Sequence, residues 1–261
     1  MSTNNILVET RGNILLMGLN RPEKRNALTV DMYFDLARAY GELDRNKELR
    51  CGLLYAVGDH FTSGLDLPQW GPFFAEGKLD LEDDMIDPYG LLAESRCKKP
   101  VVAACQGMCF TWGIEILLAS DVRVAANDLR LEQLEVKRGI FAVGGATVRL
   151  YQEIGWGNAM RYVLTGDMLS GPEAYRLGLV QELVEPGQQF DRALALAESI
   201  AKASPLGVQA SLASSRQARE YGDRAAVSNF GEAMRPLMNS KDSQEGLQAF
   251  LERREPNFSG E

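Results

Sequence analysis

Histidine is nearly absent from this chain of 261 residues, which has only His60. A nucleophilic hydrolase needs a serine or cysteine activated by a neighbouring base. His60 stands three residues before Ser63, a spacing within one turn that does not make a working dyad, and no G-x-S-x-G elbow occurs. Cysteine is sparse too. Cys51, Cys97, Cys105 and Cys109 lie mostly in apolar runs, and no second pair joins Cys105 and Cys109, so no metal site is expected. Buried free thiols are the expectation, which fits a reducing, cytoplasmic setting. Positive charge is in deficit, with 28 Lys and Arg against 36 Asp and Glu and a net charge of −8. That argues against nucleic acid or an anionic membrane as partner. No apolar run approaches about 18 residues, so no membrane span is expected, and the polar start Met1 to Asn5 predicts no secretion signal. P-loop and Rossmann fingerprints are missing; Gly107 and Gly113 lack the required spacing.

What is present is an ordinary globular composition, 45% hydrophobic and 25% charged, in a chain long enough for a sizeable core. Ile6 to Glu9 and Ile14 to Leu19 read as a hairpin across Arg11-Gly12-Asn13. Thr29 is a plausible N-cap for a helix whose apolar face is Tyr33, Leu36, Ala37, Tyr40 and Leu43. Cys51 to Val57 and Val101 to Cys105 read as buried strands, and Val122 to Ala125 as another. Residues 68 to 86 mix aromatics with acids and resist assignment; such a stretch is often a lid or binding loop. Tyr89 to Cys97 is predicted helical. Gly144-Gly145 opens a further helix, Leu179 to Val184 reads as a strand, and from Gln188 helices run to the end. Alternation to about residue 185 followed by helices predicts an α/β fold with a helical tail.

Two acids stand out. Glu115 lies within Gly113-Ile114-Glu115-Ile116-Leu117-Leu118-Ala119, where burial of a carboxylate is costly unless it is paired or protonated. Glu135 follows twenty residues later, and the pair is expected to face one another across one pocket. The plainer alternatives are a helix-start acid satisfied by the dipole for Glu115 and a surface acid paired with Lys137 or Arg138 for Glu135.

Four separated segments resemble the enoyl-CoA hydratase/isomerase (crotonase) family. They are Asn20-Arg21-Pro22-Glu23-Lys24-Arg25-Asn26-Ala27-Leu28; Phe61-Thr62-Ser63-Gly64-Leu65-Asp66-Leu67, like that family's F-x-A/S-G-x-D-L; Gln106-Gly107 through Glu115, like its N/Q-G-x-x-x-G-G-G-x-E-L; and Glu135 to Gly139 followed by Gly144-Gly145-Ala146-Thr147. The closing stretch from Glu245 to Phe258 resembles the family's C-terminal helix. The resemblance spans nearly the whole chain, in order. It implies a spiral of ββα units with a C-terminal helical trimerisation region, divided here into an acyl-CoA-binding core, 1–190, and an oligomerising helical region, 191–261. A homotrimer or homohexamer is implied as well.

The resemblance further implies hydration of a 2-enoyl-CoA to a 3-hydroxyacyl-CoA. Glu115 and Glu135 would be the catalytic acid and base, and the backbone N–H groups of Leu65 and Trp112 the oxyanion hole. Coenzyme A enters as part of the substrate, with no separate cofactor. Its contacts would be Lys24, Arg25, Ser63, Leu65, Asp66, Leu67, Phe250 and Arg253; a solvated charge run for Lys24 and Arg25, and plain helix core for Phe250, are the alternatives. Other reactions of the family (double-bond isomerisation, dehydration, thioester hydrolysis) and a non-catalytic acyl-CoA-binding trimer remain open on the sequence. The chain departs from the family pattern at Thr111-Trp112, where two glycines are usual, and at Ala142-Val143, in place of Pro-Gly. Trp112 is expected to add bulk near the thioester or acyl chain.

Overall fold

A computed structural model describes residues 5–76, 80–92 and 95–261. The expected hairpin is there: β1 (Ile6–Arg11) pairs antiparallel with β2 (Ile14–Leu19), Ile6 opposite Leu19. From β2 the sheet grows in parallel through β3 (Cys51–Ala56), β4 (Val101–Cys105), β6 (Val122–Ala126) and β9 (Glu182–Val184). Strands covered on both faces read as continuous apolar runs rather than alternating ones; β4, Val-Val-Ala-Ala-Cys, is buried at every position. A second, smaller sheet joins β5 (Met108–Phe110), β7 (Arg130–Glu132) and β8 (Leu169–Ser170). These three strands are two or three residues long, too short to leave a period in the sequence.

On one face of the large sheet lies α7 (Gln189–Lys202). Its Ala193, Ala197 and Ala201 recur every fourth residue and let the helix approach Leu16, Leu53, Val102 and Val124 closely. The helix crosses the expected boundary at 190/191 and serves as a core layer. The other face carries the larger core, built on α1 (Val30–Arg45) and α3 (Trp112–Ala119). Thr29 caps α1 as expected, its hydroxyl accepting the Met32 N–H at 3.1 Å. The stretch left unassigned begins with a helix, α2 (Leu67–Glu76), held by the Trp70 indole N–H to the Leu28 carbonyl at 2.9 Å. Residues 77–79 lie outside the described residues.

One expectation fails. Tyr89 to Cys97 forms no α-helix in its described residues, 89–92 and 95–97; the helical character there is a 3-10 turn at Ser95, whose N–H donates to the Leu92 carbonyl at 3.1 Å. Asp87 Oδ1 accepts the Tyr89 N–H at 2.9 Å, and Gly90 takes φ +49°, so Asp87-Pro88-Tyr89-Gly90 closes a turn instead. Asp, Pro and Gly in that order are turn chemistry, and they override the local helical pattern. After α4 (Ala146–Ile154), α5 (Trp156–Thr165) and α6 (Gly171–Arg176), the chain ends in α8 (Pro205–Tyr221), α9 (Asp223–Met238) and α10 (Lys241–Glu252). α8 ties back to the core through Arg216, which donates to the Cys97 carbonyl at 2.6 Å and pairs with Asp121 at 3.0 Å. No helix among the described residues is long and apolar enough to cross a membrane.

Candidate active site

The site begins where the early basic loop meets the turn after β3. Main-chain bonds lace the two together: Ser63 N–H to Arg25 O, Leu28 N–H to Gly64 O, and Asp66 N–H to Leu28 O, all 2.9 Å. Asn26 is fully buried between them. Its amide donates to the Val57 and His60 carbonyls at 3.0 and 2.8 Å, and its Oδ1 accepts the Arg21 N–H at 2.7 Å. The Arg21 guanidinium reaches the Asp66 carboxylate at 2.8 Å. These bonds fix the backbone on both sides of Leu65 and leave its own N–H without a protein acceptor among the described residues.

A second amide comes from the start of α3. The first N–H groups of a helix have no partner within it, and the Trp112 N–H has none elsewhere among the described residues. The residue before it, Thr111, is held at φ +48°, ψ −110°, a conformation β-branched residues rarely adopt. Its backbone is pinned from both sides: its N–H donates to Glu132 O at 2.8 Å, and its carbonyl accepts from Ile114 and Glu115 at 2.9 and 3.3 Å. The result corrects one expectation. The Trp112 side chain does not crowd the site; it is 1% exposed within the core, and Thr111 faces the cavity in its place. The indole N–H is buried without a partner among the described residues.

Leu65 and Thr111 both line a cavity of about 490 Å³, within the usual range for a small-molecule site. Its apolar lining includes Leu67 and Phe74 from α2 and Leu134, Ile140, Phe141 and Val143. Glu115 and Glu135 both line it, as does Tyr89. Glu115 is 4% exposed, and its Oε1 accepts the Ala146 N–H at 3.2 Å. Burial pushes its carboxyl up to about 7; the Ala146 N–H works against this, and the nearby Glu135 charge adds to it. Glu135 is also raised, first by burial, while the Gln133 amide at 3.1 Å pulls the other way. One Glu135 oxygen is buried with no partner among the described residues. Glu135 makes no ion pair among the described residues, so it is not an acid matched to Lys137 or Arg138. Tyr89 is raised well above its ordinary value, by burial and then by the Glu115 charge, so its phenol stays protonated.

Of the residues singled out from the sequence, Ser63, Leu65, Leu67, Glu115 and Glu135 meet at this cavity. Lys24 and Arg25 are exposed on the loop bonded to Ser63, outside the cavity wall. Asp66 is engaged by Arg21. Phe250 and Arg253 lie exposed on and just after α10 and do not line the cavity; at 78% exposure Phe250 is not helix core. Sequence reasoning missed Tyr89 and the Thr111 side chain as cavity residues. The turn signature of Asp87-Pro88-Tyr89-Gly90 was the available clue to the first, and Thr111 standing at a glycine position was the clue to the second. All four cysteines are buried and unpaired. Burial pushes Cys51, Cys97 and Cys105 up to about 12, and Cys109 is raised as well, so none is a ready nucleophile.

Comparison with known proteins bears on this geometry. The family described as enoyl-CoA hydratase/isomerase matches residues 9–261. The chain is 35% identical to the enoyl-CoA hydratase EchA19 of Mycobacterium tuberculosis, over 97% of its own length and 95% of that protein. It is 32% identical to the mevalonyl-coenzyme A hydratase sidH of Aspergillus fumigatus, covering 94% and 91% respectively. The fold superposes on the crystal structure of a probable enoyl-CoA hydratase/isomerase from Mycobacterium abscessus with a TM-score of 0.95, at 41% identity and 99% coverage of both chains.

Proposed function

The chain belongs to the enoyl-CoA hydratase/isomerase (crotonase) family and is an enzyme of the hydratase type, and on that premise we propose that it adds water across the C2=C3 bond of a 2-enoyl-CoA to give the 3-hydroxyacyl-CoA. The observation that carries this reading is the meeting of two acids with raised pKa values in one cavity, which Leu65, its N–H unclaimed among the described residues, also lines.

Water addition needs a base and an acid at once. Two neighbouring carboxyls in a poorly solvated site share one proton near neutral pH, and they titrate as a pair. The ionised member takes a proton from water as the water oxygen attacks C3. Electrons move through the C=C bond onto the thioester oxygen, which becomes an enolate. The N–H groups of Leu65 and Trp112 stabilise that charge; one such preorganised donor is worth about 10²–10³ in rate. The protonated member then delivers its proton to C2. Hydroxyl has gone to C3 and hydrogen to C2, and the pair again holds one proton. The Tyr89 phenol is a neutral hydrogen-bond donor beside the same carboxyls.

Coenzyme A would run along Ser63, Leu65, Asp66 and Leu67, with Lys24 and Arg25 near its phosphates. Phe250 and Arg253 would reach it only from a neighbouring subunit. Supporting a homotrimer or homohexamer are the apolar side chains that α9 and α10 leave exposed, among them Val227, Phe230, Met234, Leu247 and Leu251.

The deciding experiment follows the conjugated-enoyl absorbance of crotonyl-CoA with purified protein. Hydration removes it, and Glu115→Gln lowers the rate by about 10³. Equal turnover by Glu115→Gln removes the mechanism. A shift of a 3-enoyl-CoA to the 2-enoyl form without water addition would replace hydration by isomerisation.

A further inference from the structure

We infer that the Thr111 hydroxyl is a third hydrogen-bond donor to the thioester oxygen, alongside the two backbone amides. The inference rests on the reading above in placing that oxygen against Leu65 and Trp112. Three independent structural features lead to it. First, Thr111 occupies a left-handed backbone conformation that favours glycine and penalises a β-branched side chain. Strain of this kind gathers at functional sites when the surrounding structure holds it in place. Second, the hydroxyl has a place made for it. A Cβ added to Gly64 would lie 2.3 Å from Thr111 Oγ1, so the hydroxyl fills the space that the missing Gly64 side chain leaves. Gly64 itself, at φ +104°, immediately precedes the Leu65 N–H. The hydroxyl therefore abuts the residue before Leu65, and its own residue is the one before Trp112. Third, Thr111 lines the cavity, and its hydroxyl makes no hydrogen bond among the described residues. A hydroxyl rotates to suit an acceptor and carries one proton to donate. An oxygen held by both amides is the acceptor within its reach.

The test separates hydroxyl from shape and from strain. Thr111→Val keeps the branched shape and removes the donor. Thr111→Ser keeps the donor. Thr111→Gly removes the donor and relieves the backbone. Turnover of crotonyl-CoA is expected to fall about 10- to 100-fold in kcat for Val and for Gly, with KM changing less than about threefold, and to stay within about threefold of wild type for Ser. Thr111→Gly is expected to unfold at higher denaturant concentration than wild type while being the slower enzyme, an outcome that a purely structural role for Thr111 does not give. The second readout needs no turnover. The carbonyl stretch of ¹³C-labelled butyryl-CoA is recorded bound to each variant, where loss of a donor moves it to higher frequency in Val and Gly but not in Ser. Wild-type kcat in Val with an unmoved carbonyl stretch overturns the inference and leaves the hydratase reading intact. If the wild type hydrates no enoyl-CoA, the hydratase reading fails and the carbonyl stretch alone decides on Thr111. Absence of any bound carbonyl band in the wild type overturns both.

Discussion

Replacing Glu115 by glutamine is expected to stabilise the fold at alkaline pH while destroying the activity. The magnitude follows from the titration of this one group. Its carboxyl rises from an ordinary 4.5 to about 7 in the folded chain, mainly through burial. Folding therefore favours the protonated form. The associated stability is fully present below about 4.5 and is lost as pH rises through about 7. The gap between the two values converts to about 3 kcal/mol. Glutamine is neutral at every pH and keeps an oxygen for the Ala146 N–H, which the Glu115 carboxylate accepts at 3.2 Å. Its amide nitrogen turns to the cavity, where Glu135 is a ready acceptor. Glu115→Gln should thus exceed wild type by about 1–3 kcal/mol at pH 8, and the advantage should shrink toward zero at pH 5. Urea unfolding of both proteins across that range, at fixed protein concentration, measures it. A difference that does not change with pH, or a glutamine variant less stable than wild type at pH 8, would refute the argument that burial holds this acid out of its ionised state.

Gly64→Ala places a methyl 2.3 Å from Thr111 Oγ1 at a backbone angle that resists side chains; a loss of about 1–3 kcal/mol in unfolding free energy, read by denaturant titration, and a fall in kcat are expected, and an unchanged protein would contradict the close packing of these two segments. A thiol-specific disulfide reagent should label no cysteine in the native protein and four after denaturation, since all four are buried with raised pKa values; rapid native labelling of any one would show the core to be open there. Phe230→Glu with Met234→Glu puts two charges on the exposed apolar face of α9; sedimentation should show a smaller particle than wild type, and an unaltered assembly would remove this face from the subunit contact.

The legible parts of this chain were those with a long period or a cap. Thr29 and the apolar face of α1 announced a helix because burial on one side repeats over four turns. The central parallel strands β3 and β4 announced themselves by unbroken runs of apolar and small residues. The small sheet was silent: Met108–Phe110, Arg130–Glu132 and Leu169–Ser170 are too short to repeat anything. Glu115 was legible as a site residue because an acid in an apolar helix asks for a reason. Trp112 misled because size was taken for proximity. Its indole is buried in the core while Thr111, the residue before it, lines the cavity, a division that leaves no mark in composition. Tyr89 was hidden by a segment whose helical pattern lost to an Asp-Pro turn, bonded through Asp87 to both the Tyr89 N–H and the Tyr33 hydroxyl.

One helix reconciles these separate pieces. α4 presents its first N–H, from Ala146, to Glu115. One turn later Arg149 donates to the Tyr89 and Gly90 carbonyls, both at 2.6 Å. Arg149 is 8% exposed and has no carboxylate ion pair among the described residues; burial, then the neighbouring cations Arg96 and Arg219, bring it down to about 10. A buried guanidinium held by carbonyls alone is an expensive way to fasten a loop. The expense is understandable if what matters is the distance between the loop and the acid, because both are then measured from the same rigid element. Gly144, just before α4, shows how little slack there is: a Cβ there would meet Tyr89 Cε1 at 2.2 Å and Glu115 Oε2 at 2.6 Å. The tyrosine ring and the carboxylate are therefore set against one another across a bare stretch of main chain. The fold spends stability in Arg149, in Glu115 and in the torsion of Thr111, and all three costs fall around the place where a thioester would lie.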